Sequence, residues 1–463
     1  MSQPKTSSPC LNPELIHRYN VSGPRYTSYP TALQFTDFDE QKLLRAIQES
    51  DLKERDLSLY FHIPFCSTLC YYCACNKIVT RKRELATNYL NLLSKEIALQ
   101  APRFVTRKVS QLHWGGGTPT FLDDDEISGL MNTIRDRFEI RSDEDGEFSI
   151  EIDPRTVNPV RIRGLRECGF NRLSLGIQDF DKKVQAAVNR KQSFSQTKQV
   201  IEAAKRSGFK SISVDLIYGL PHQSTQSFLK TLQQVVNLNP DRISIYNYAH
   251  LPERFQPQQR ILTADLPNAD EKLNILQLCI EELTSEGYQN IGMDHFAKPD
   301  DALCLAQQNG TLQRNFQGYS TQADCDLIAF GITGISHIGT TFSQNVKQLE
   351  EYQRLLEAHK LPVEKGIVLS KDDLIRQAVI KALICQFNLR FVDIEETFCI
   401  EFATYFAKEM VALRPLAQDG LCSINQQGVK VSNSGRLLIR NLCMVFDKYL
   451  HKPKTTTRYS RAI

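Results

Sequence analysis

From about Ser58 onward, short runs rich in β-branched and aromatic residues alternate with longer runs whose apolar residues recur at i, i+3 and i+4. The short runs are SLYFHI (58–63), VSQLHW (109–114), EFSIEI (147–152), RLSLGI (172–177), ISVDLIY (212–218) and RISIYNY (242–248). The helical runs between them are Leu85 to Gln100, Asp124 to Phe138, Val160 to Cys168, Ser195 to Ser207 and Thr225 to Leu238. This alternation predicts an α/β fold of parallel strands joined by right-handed crossovers. Six such units predict an open, partial parallel β/α barrel rather than a closed eight-unit one.

The pattern breaks at both ends. The first ~40 residues carry turn and breaker signals, and YNVSGPRYTSYPTA (19–32) is aromatic without a helical period. This predicts an arm, residues 1–50, packed over the active site, with Tyr26 and Tyr29 as covering rings. The catalytic barrel is expected over 51–365, and a mainly helical C-terminal domain over 366–463. Within that domain, Lys371 to Phe387, Phe391 to Leu413 and Asn433 to Leu450 read as helices, and 418–435 as a small hairpin.

Composition narrows the function classes. Lys plus Arg total 56 against 53 for Asp plus Glu, a net charge of +3, too balanced to argue for nucleic acid or a charged membrane surface. No apolar run approaches the ~20 residues a membrane helix needs. MSQPKTSSPCLNPEL lacks the basic start and apolar stretch of a signal peptide, so a cytoplasmic protein is expected.

The 13 cysteines are odd in number, which speaks against a disulfide framework. Most sit singly in apolar patterns as small buried hydrophobes. Cys66, Cys70, Cys73 and Cys75 are the exception. Thiolates in a compact loop select soft metals, so an iron–sulfur cluster or zinc are both open readings. No second cysteine pair follows at zinc-finger spacing, and Cys75 is too close to Cys73 to close a tetrahedron readily. Three thiolates on a four-iron cluster leave one iron open to a small molecule. GGGTPT follows the second strand, and a glycine run lets backbone approach a ligand or simply make a tight turn. The other candidate residues also fall at strand C-terminal ends, where parallel α/β folds collect chemistry.

Cys-x3-Cys-x2-Cys after a first strand and Gly-Gly-Gly-Thr-Pro after a second resemble the radical S-adenosylmethionine superfamily. YFHIPFCSTLCYYCACN, HWGGGTPT, SIEIDPR, RLSLGIQDF, VDLIYGLP and FQGYSTQ together resemble the oxygen-independent coproporphyrinogen III oxidases of that superfamily, across essentially the whole chain.

The resemblance implies one [4Fe-4S] cluster held by Cys66, Cys70 and Cys73 and two molecules of S-adenosylmethionine. Tyr60, Tyr72, Gly116, Glu151 and Ile335 would contact the cluster-bound molecule, Glu151 counting with the catalytic set. Gly117, Thr118, Gln178, Arg190, Asp215 and the Ala249 region would line the second site. Tyr72 stands where the family more often has Phe, which keeps the ring. The implied reaction converts two propionates of coproporphyrinogen III to vinyls, through a 5′-deoxyadenosyl radical, giving protoporphyrinogen IX in haem synthesis. Anionic propionates call for basic partners, and Arg25, Lys77 and Arg314 are the candidates. The family expectation for the electron donor is flavodoxin with its reductase, and the chain is expected to be a monomer. A haem-binding carrier of the same superfamily is the alternative; it usually lacks Cys75 and the N-terminal arm, both present here.

Overall fold

The structure is a computed structural model that describes residues 13–51, 55–322, 325–450 and 459. Residues 1–12, on which the reading of the leader chiefly rests, lie outside the described residues, as do 451–458. The chain divides into two compact units, Phe35–Pro267 with Asp324–Val368, and Met1–Gln34 with Asn268–Ala323 and Leu369–Ile463.

The first unit carries the alternating pattern. Its elements are β1 (Leu57–Ile63), α1 (Arg83–Gln100), β2 (Lys108–Gly116), α2 (Asp124–Arg137), β3 (Glu147–Ile152), α3 (Pro159–Glu167), β4 (Arg172–Gln178), α4 (Phe194–Arg206), β5 (Ser211–Tyr218), α5 (Thr225–Leu238) and β6 (Arg242–Asn247). Each agrees with its sequence expectation to within about two residues. Caps explain why the helices start where they do: the side chains of Asp123, Asn158, Ser193 and Ser224 each accept a backbone N–H of the first turn. Each such cap stabilises its helix by about 1 kcal/mol.

A seventh parallel strand, β7 (Asp326–Phe330), pairs with β1 on the side away from β2. Parallel pairing then runs β7-β1-β2-β3-β4-β5-β6 without closing. Beyond β7 the sheet continues antiparallel through β8 (Ile335–Ile338), β9 (Thr341–Asn345) and β10 (Val363–Val368). The result is the expected open barrel, with seven parallel strands instead of six.

Strand alternation assigns two faces. In β3, Phe148, Ile150 and Ile152 are buried, and Glu147, Ser149 and Glu151 take the other face. The same alternation places Ser174, Gly176 and Gln178 of β4 opposite Leu173, Leu175 and Ile177. Polar groups therefore line one face of the sheet, and aliphatic groups form the core of the other.

The second unit has one apolar core that includes Tyr26, Tyr29, Leu273, Leu303, Ile375, Leu383, Phe402 and Phe446. The sequence boundaries at 50 and 365 differ from this division. Residues 35–50 belong with the barrel because Thr36 pairs with Gly366 and the Arg107 guanidinium donates to Ser50 Oγ at 3.2 Å. Residues 268–323 belong with the chain ends because Leu273, Ile291 and Leu312 pack in the same core as the C-terminal helices. The hairpin read at 418–435 is present as Cys422–Ile424 paired with Gly428–Val431, and Asn388–Arg390 adds a third strand. Tyr26 and Tyr29 are 4% and 3% exposed within this core. The Tyr26 hydroxyl donates to Asp447 at 3.0 Å, and Arg440 holds the Pro24 carbonyl at 2.9 Å.

Among the described residues, no helix is long and apolar enough to cross a membrane.

Candidate active site at the strand ends

Cys66, Cys70 and Cys73 lie on the loop that leaves β1. The alternative of one helical face for these three is not realised, because residues 67–76 contain only turns and bends. Hydrogen bonds from around the barrel fix the loop. Ile78 N–H donates to Pro64 O at 2.7 Å, Thr80 N–H to Cys66 O at 3.0 Å and Tyr71 N–H to Val188 O at 3.0 Å. Asn189 Nδ2 donates to Leu69 O at 2.8 Å, and Gln258 Nε2 to Tyr72 O at 3.1 Å. These bonds hold the loop's backbone and use none of the thiols. Tyr72 packs against the apolar cluster of Val184, Val188, Leu220, Tyr248 and Ile261, which anchors the loop through its ring.

A cavity of about 330 Å³ opens beside the three thiols. Its lining includes Cys66, Cys70, Tyr72, Cys73, Cys75, Lys77, Gly116, Gly117, Thr118, Glu151, Gln178, Arg190 and Asp215. The strand ends that supply these residues are sequential neighbours in the sheet. The glycines let them crowd together. A Cβ at Gly117 would stand 2.7 Å from Phe65 O and from Pro64 C, and Gly116 has φ +108°. Gly117 N–H then donates to Ile63 O, and Thr118 N–H to Phe65 O, each at 2.8 Å. The run thus serves close packing of two strand ends and also lines the cavity, so the two sequence readings of it coexist.

Charges in the cavity are arranged in pairs. Glu151 accepts from His113 Nε2 at 3.2 Å and from Gly116 N–H at 3.3 Å. Burial would raise this carboxyl, but the His113 hydrogen bond and charge outweigh it and hold Glu151 below its ordinary value. Burial likewise opposes ionisation of Asp153, and the Arg190 and Arg155 charges outweigh it. Asp215 is different: burial and the nearby Glu151 charge push it up to about 6, although Ser174 Oγ donates to it at 2.9 Å. Burial pushes the Cys66 thiol up to about 11, while a hydrogen bond from Cys75 holds Cys73 down at about 6.

Three of the expected residues are not in the cavity lining. The Tyr60 ring stacks on His113, with centroids 5.8 Å apart, and its hydroxyl lies 3.1 Å from His62 Nδ1. Ala249 follows β6, and Ile335 opens β8. Of the substrate candidates, Lys77 lines the cavity and donates to Cys73 O at 3.0 Å. Arg25 and Arg314 belong to the other unit. There Arg25 pairs with Asp294, and the Arg314 guanidinium lies over the Tyr319 ring at 4.8 Å.

A family model for the radical SAM superfamily matches residues 60–235, and one for the HemN C-terminal domain matches residues 369–438. Oxygen-independent coproporphyrinogen III oxidase from Escherichia coli K12 is 51% identical over 97% of this chain and 98% of its own length. The same enzyme from Pseudomonas aeruginosa is 49% identical over 97% of this chain and 98% of its own. The chain belongs to the oxygen-independent coproporphyrinogen III oxidase family. The solved structure of coproporphyrinogen III oxidase (HemN) from Escherichia coli, described as a radical SAM enzyme, matches with a TM-score of 0.89 at 52% identity. That match covers 92% of this chain and 97% of the solved one.

A radical SAM family member carries a [4Fe-4S] cluster and S-adenosylmethionine. The residues present fit both groups. The thiols are soft donors at a cavity mouth. Three thiols on one loop are the donor type that iron–sulfur clusters take. For the small molecule, Gln178 offers a buried Oε1 that accepts from no residue, on a backbone with φ +68°. A residue in that conformation, with an unpartnered acceptor in the cavity lining, fits a ligand that donates a hydrogen bond.

The sequence reading passed over Asp153, Arg155, Ser174 and Gly176, all of which line the cavity. Strand alternation was the available signal. Asp153 stands two residues beyond Glu151, and Ser174 and Gly176 precede Gln178 on one face of β4.

Proposed function

We propose that this chain catalyses the oxygen-independent oxidative decarboxylation of two propionates of coproporphyrinogen III, giving protoporphyrinogen IX in haem synthesis. The observation that carries it is a three-thiol loop at the mouth of a polar barrel cavity, in a chain about half identical to enzymes of that name along its length. Each event is –CH2CH2COO⁻ → –CH=CH2 + CO2 + H• + e⁻, in which a C–H bond and a C–C bond break.

Cys66, Cys70 and Cys73 are the cluster ligands in this reading. Bound there, a reduced cluster with S-adenosylmethionine supplies a 5′-deoxyadenosyl radical, the hydrogen-atom acceptor. The chain's residues bind and orient. Glu151 is kept ionised by His113 and faces the ammonium or ribose hydroxyls of one S-adenosylmethionine, with Tyr72 and Gly116 beside it. Tyr60 and Ile335 act from outside the lining: Tyr60 holds His113 by stacking. Gly117, Thr118, Gln178, Arg190, Asp215 and Ala249 serve a second molecule. The unpaired Gln178 Oε1 and the Asp215 carboxyl at about 6 supply acceptor and donor for it. Lys77, at the cavity, serves a propionate. The protein works as a cytoplasmic monomer, reduced by a donor such as flavodoxin with its reductase.

The test is an anaerobic assay of reconstituted protein with reductant and S-adenosylmethionine, with and without coproporphyrinogen III. Protoporphyrinogen and 5′-deoxyadenosine both forming only with substrate supports the reading. Formation of 5′-deoxyadenosine with the porphyrinogen untouched would leave the radical class and reject the substrate. Cys66→Ala with full activity would reject the whole scheme. Haem binding without decarboxylation would favour the carrier reading, against which Cys75 speaks.

A further inference from the structure

Two guanidiniums converge on one thiol. Arg190 Nη1 lies 3.6 Å and Arg155 Nη2 3.8 Å from Cys70 Sγ. The other two thiols are served differently. Cys66 Sγ has the neutral Thr118 hydroxyl at 3.5 Å, and Cys73 has no guanidinium hydrogen-bonded to its sulfur among the described residues.

One carboxylate places both guanidiniums. Asp153 accepts Arg155 Nη2 at 2.6 Å and Arg155 Nε at 3.0 Å, and it accepts Arg190 Nη1 at 3.1 Å. It is itself fixed by the Arg155 N–H at 3.0 Å, as the cap of the single turn Pro154–Thr156. Asp153 is 6% exposed, so these are poorly screened charges. Arg190 is further tied to Gly176 O at 2.5 Å, while the Arg155 guanidinium meets Asp153 and the sulfur. A surface ion pair has no need of the sulfur. An Arg held by a neighbouring carboxylate so that its free edge meets a buried thiol has a direction imposed on it.

We propose that Arg155, oriented by Asp153, is a positioning residue that raises the reduction potential of the cluster through Cys70. An N–H···S contact withdraws electron density from a thiolate ligand, and a nearby positive charge favours the more negative, reduced cluster. Both effects act in one direction. They ease delivery of an electron to the cluster before S-adenosylmethionine is cleaved. The proposal rests on the reading that Cys70 is a cluster ligand.

The experiment uses the full chain with its cluster reconstituted, in the forms wild type, Arg155→Ala, Arg155→Lys and Asp153→Asn. Iron per chain and the reduction potential, followed by electron paramagnetic resonance without S-adenosylmethionine, are measured together. The expected result is full iron content with a more negative potential in Arg155→Ala. Arg155→Lys should fall between, because an ammonium keeps the charge and loses the planar fork. Asp153→Asn releases the fork but also removes a negative charge, two opposed effects on the potential, so it serves as the control for iron content. Potentials equal to wild type in iron-replete Arg155→Ala and Arg155→Lys would overturn the proposal. If Arg155→Ala does not take up iron, Arg155→Lys decides by the same two results. A wild-type chain without a four-iron signal would instead reject the ligand reading itself.

Discussion

The Tyr89 hydroxyl donates to His62 O at 2.8 Å and accepts the Ile332 N–H at 3.1 Å. His62 lies at the end of β1, where the cysteine loop begins, and Ile332 lies in the turn between β7 and β8. One buried phenol on α1 therefore pins the end of β1, from which the cysteine loop departs, to the turn after β7. Tyr89→Phe leaves a buried carbonyl and a buried N–H without their partner, which costs about 1–3 kcal/mol. Chemical denaturation should show that loss. Iron retention should fall faster on dilution than in wild type, because the loop's point of departure is loosened.

Glu96, about two helical turns further along α1, is 0% exposed and accepts from four donors. These are Gly331 N–H and Asn345 Nδ2 at 2.8 Å, Tyr352 hydroxyl at 2.5 Å and Gln100 Nε2 at 3.0 Å. Burial pushes its pKa from 4.5 up to about 7, against the pull of those hydrogen bonds. A carboxyl whose pKa is raised on folding binds its proton more tightly in the native state. Its contribution to stability is fully present below about pH 4.5 and is lost as the pH rises to about 7. The span corresponds to about 3 kcal/mol. Glu96→Gln should abolish this slope, so the difference in unfolding free energy between wild type and variant should change between pH 5 and pH 8. A difference independent of pH would reject the assignment.

Legibility in the sequence followed burial. The six interior strands showed period two or short β-rich runs, and the helices between them showed an apolar stripe. β7 was missed because Asp326–Phe330 is buried at every position, so it has no alternation to read. It also follows an excursion, 268–323, that belongs to the other unit's core. β8 and β9 carry Ser, His, Thr, Gln and Asn in buried or half-buried places, so no apolar pattern marks them in the sequence. The cysteine triad was legible because thiol spacing is local. Asp153 and Arg155 were not, because Asp-Pro-Arg reads as turn punctuation until the fold brings Cys70 to it.

Glycines offer a paired test of close approach. Gly117→Ala puts a methyl against the Pro64–Phe65 backbone, where nothing flexible can move aside. The strand ends must part, weakening the bonds from Gly117 and Thr118 N–H. Destabilisation of about 1–3 kcal/mol and reduced iron uptake are expected. Gly129, inside α2, has open space within 4 Å of the place an added Cβ would take. Gly129→Ala should stabilise the chain by about 0.5–1 kcal/mol with iron uptake unchanged. Thermal unfolding of the two variants side by side separates crowding at the site from helix propensity.

Gln178 tests the second S-adenosylmethionine. Its side chain combines an orphaned buried oxygen with a left-handed backbone, in a β4 end where the register with β5 shifts between Gly176 and Gln178. Its Nε2 side lies close to Gly176, where an added Cβ would be 2.8 Å away. The amide is therefore confined, and its oxygen accepts from no residue. Gln178→Leu keeps most of the volume and removes the acceptor. Equilibrium binding to the reconstituted chain should then fall from two S-adenosylmethionine per chain to one, with iron content unchanged. Cleavage of the remaining molecule should persist, because Glu151 and the thiols are untouched. Binding of one molecule by wild type, or of two by the variant, would remove Gln178 from a second site.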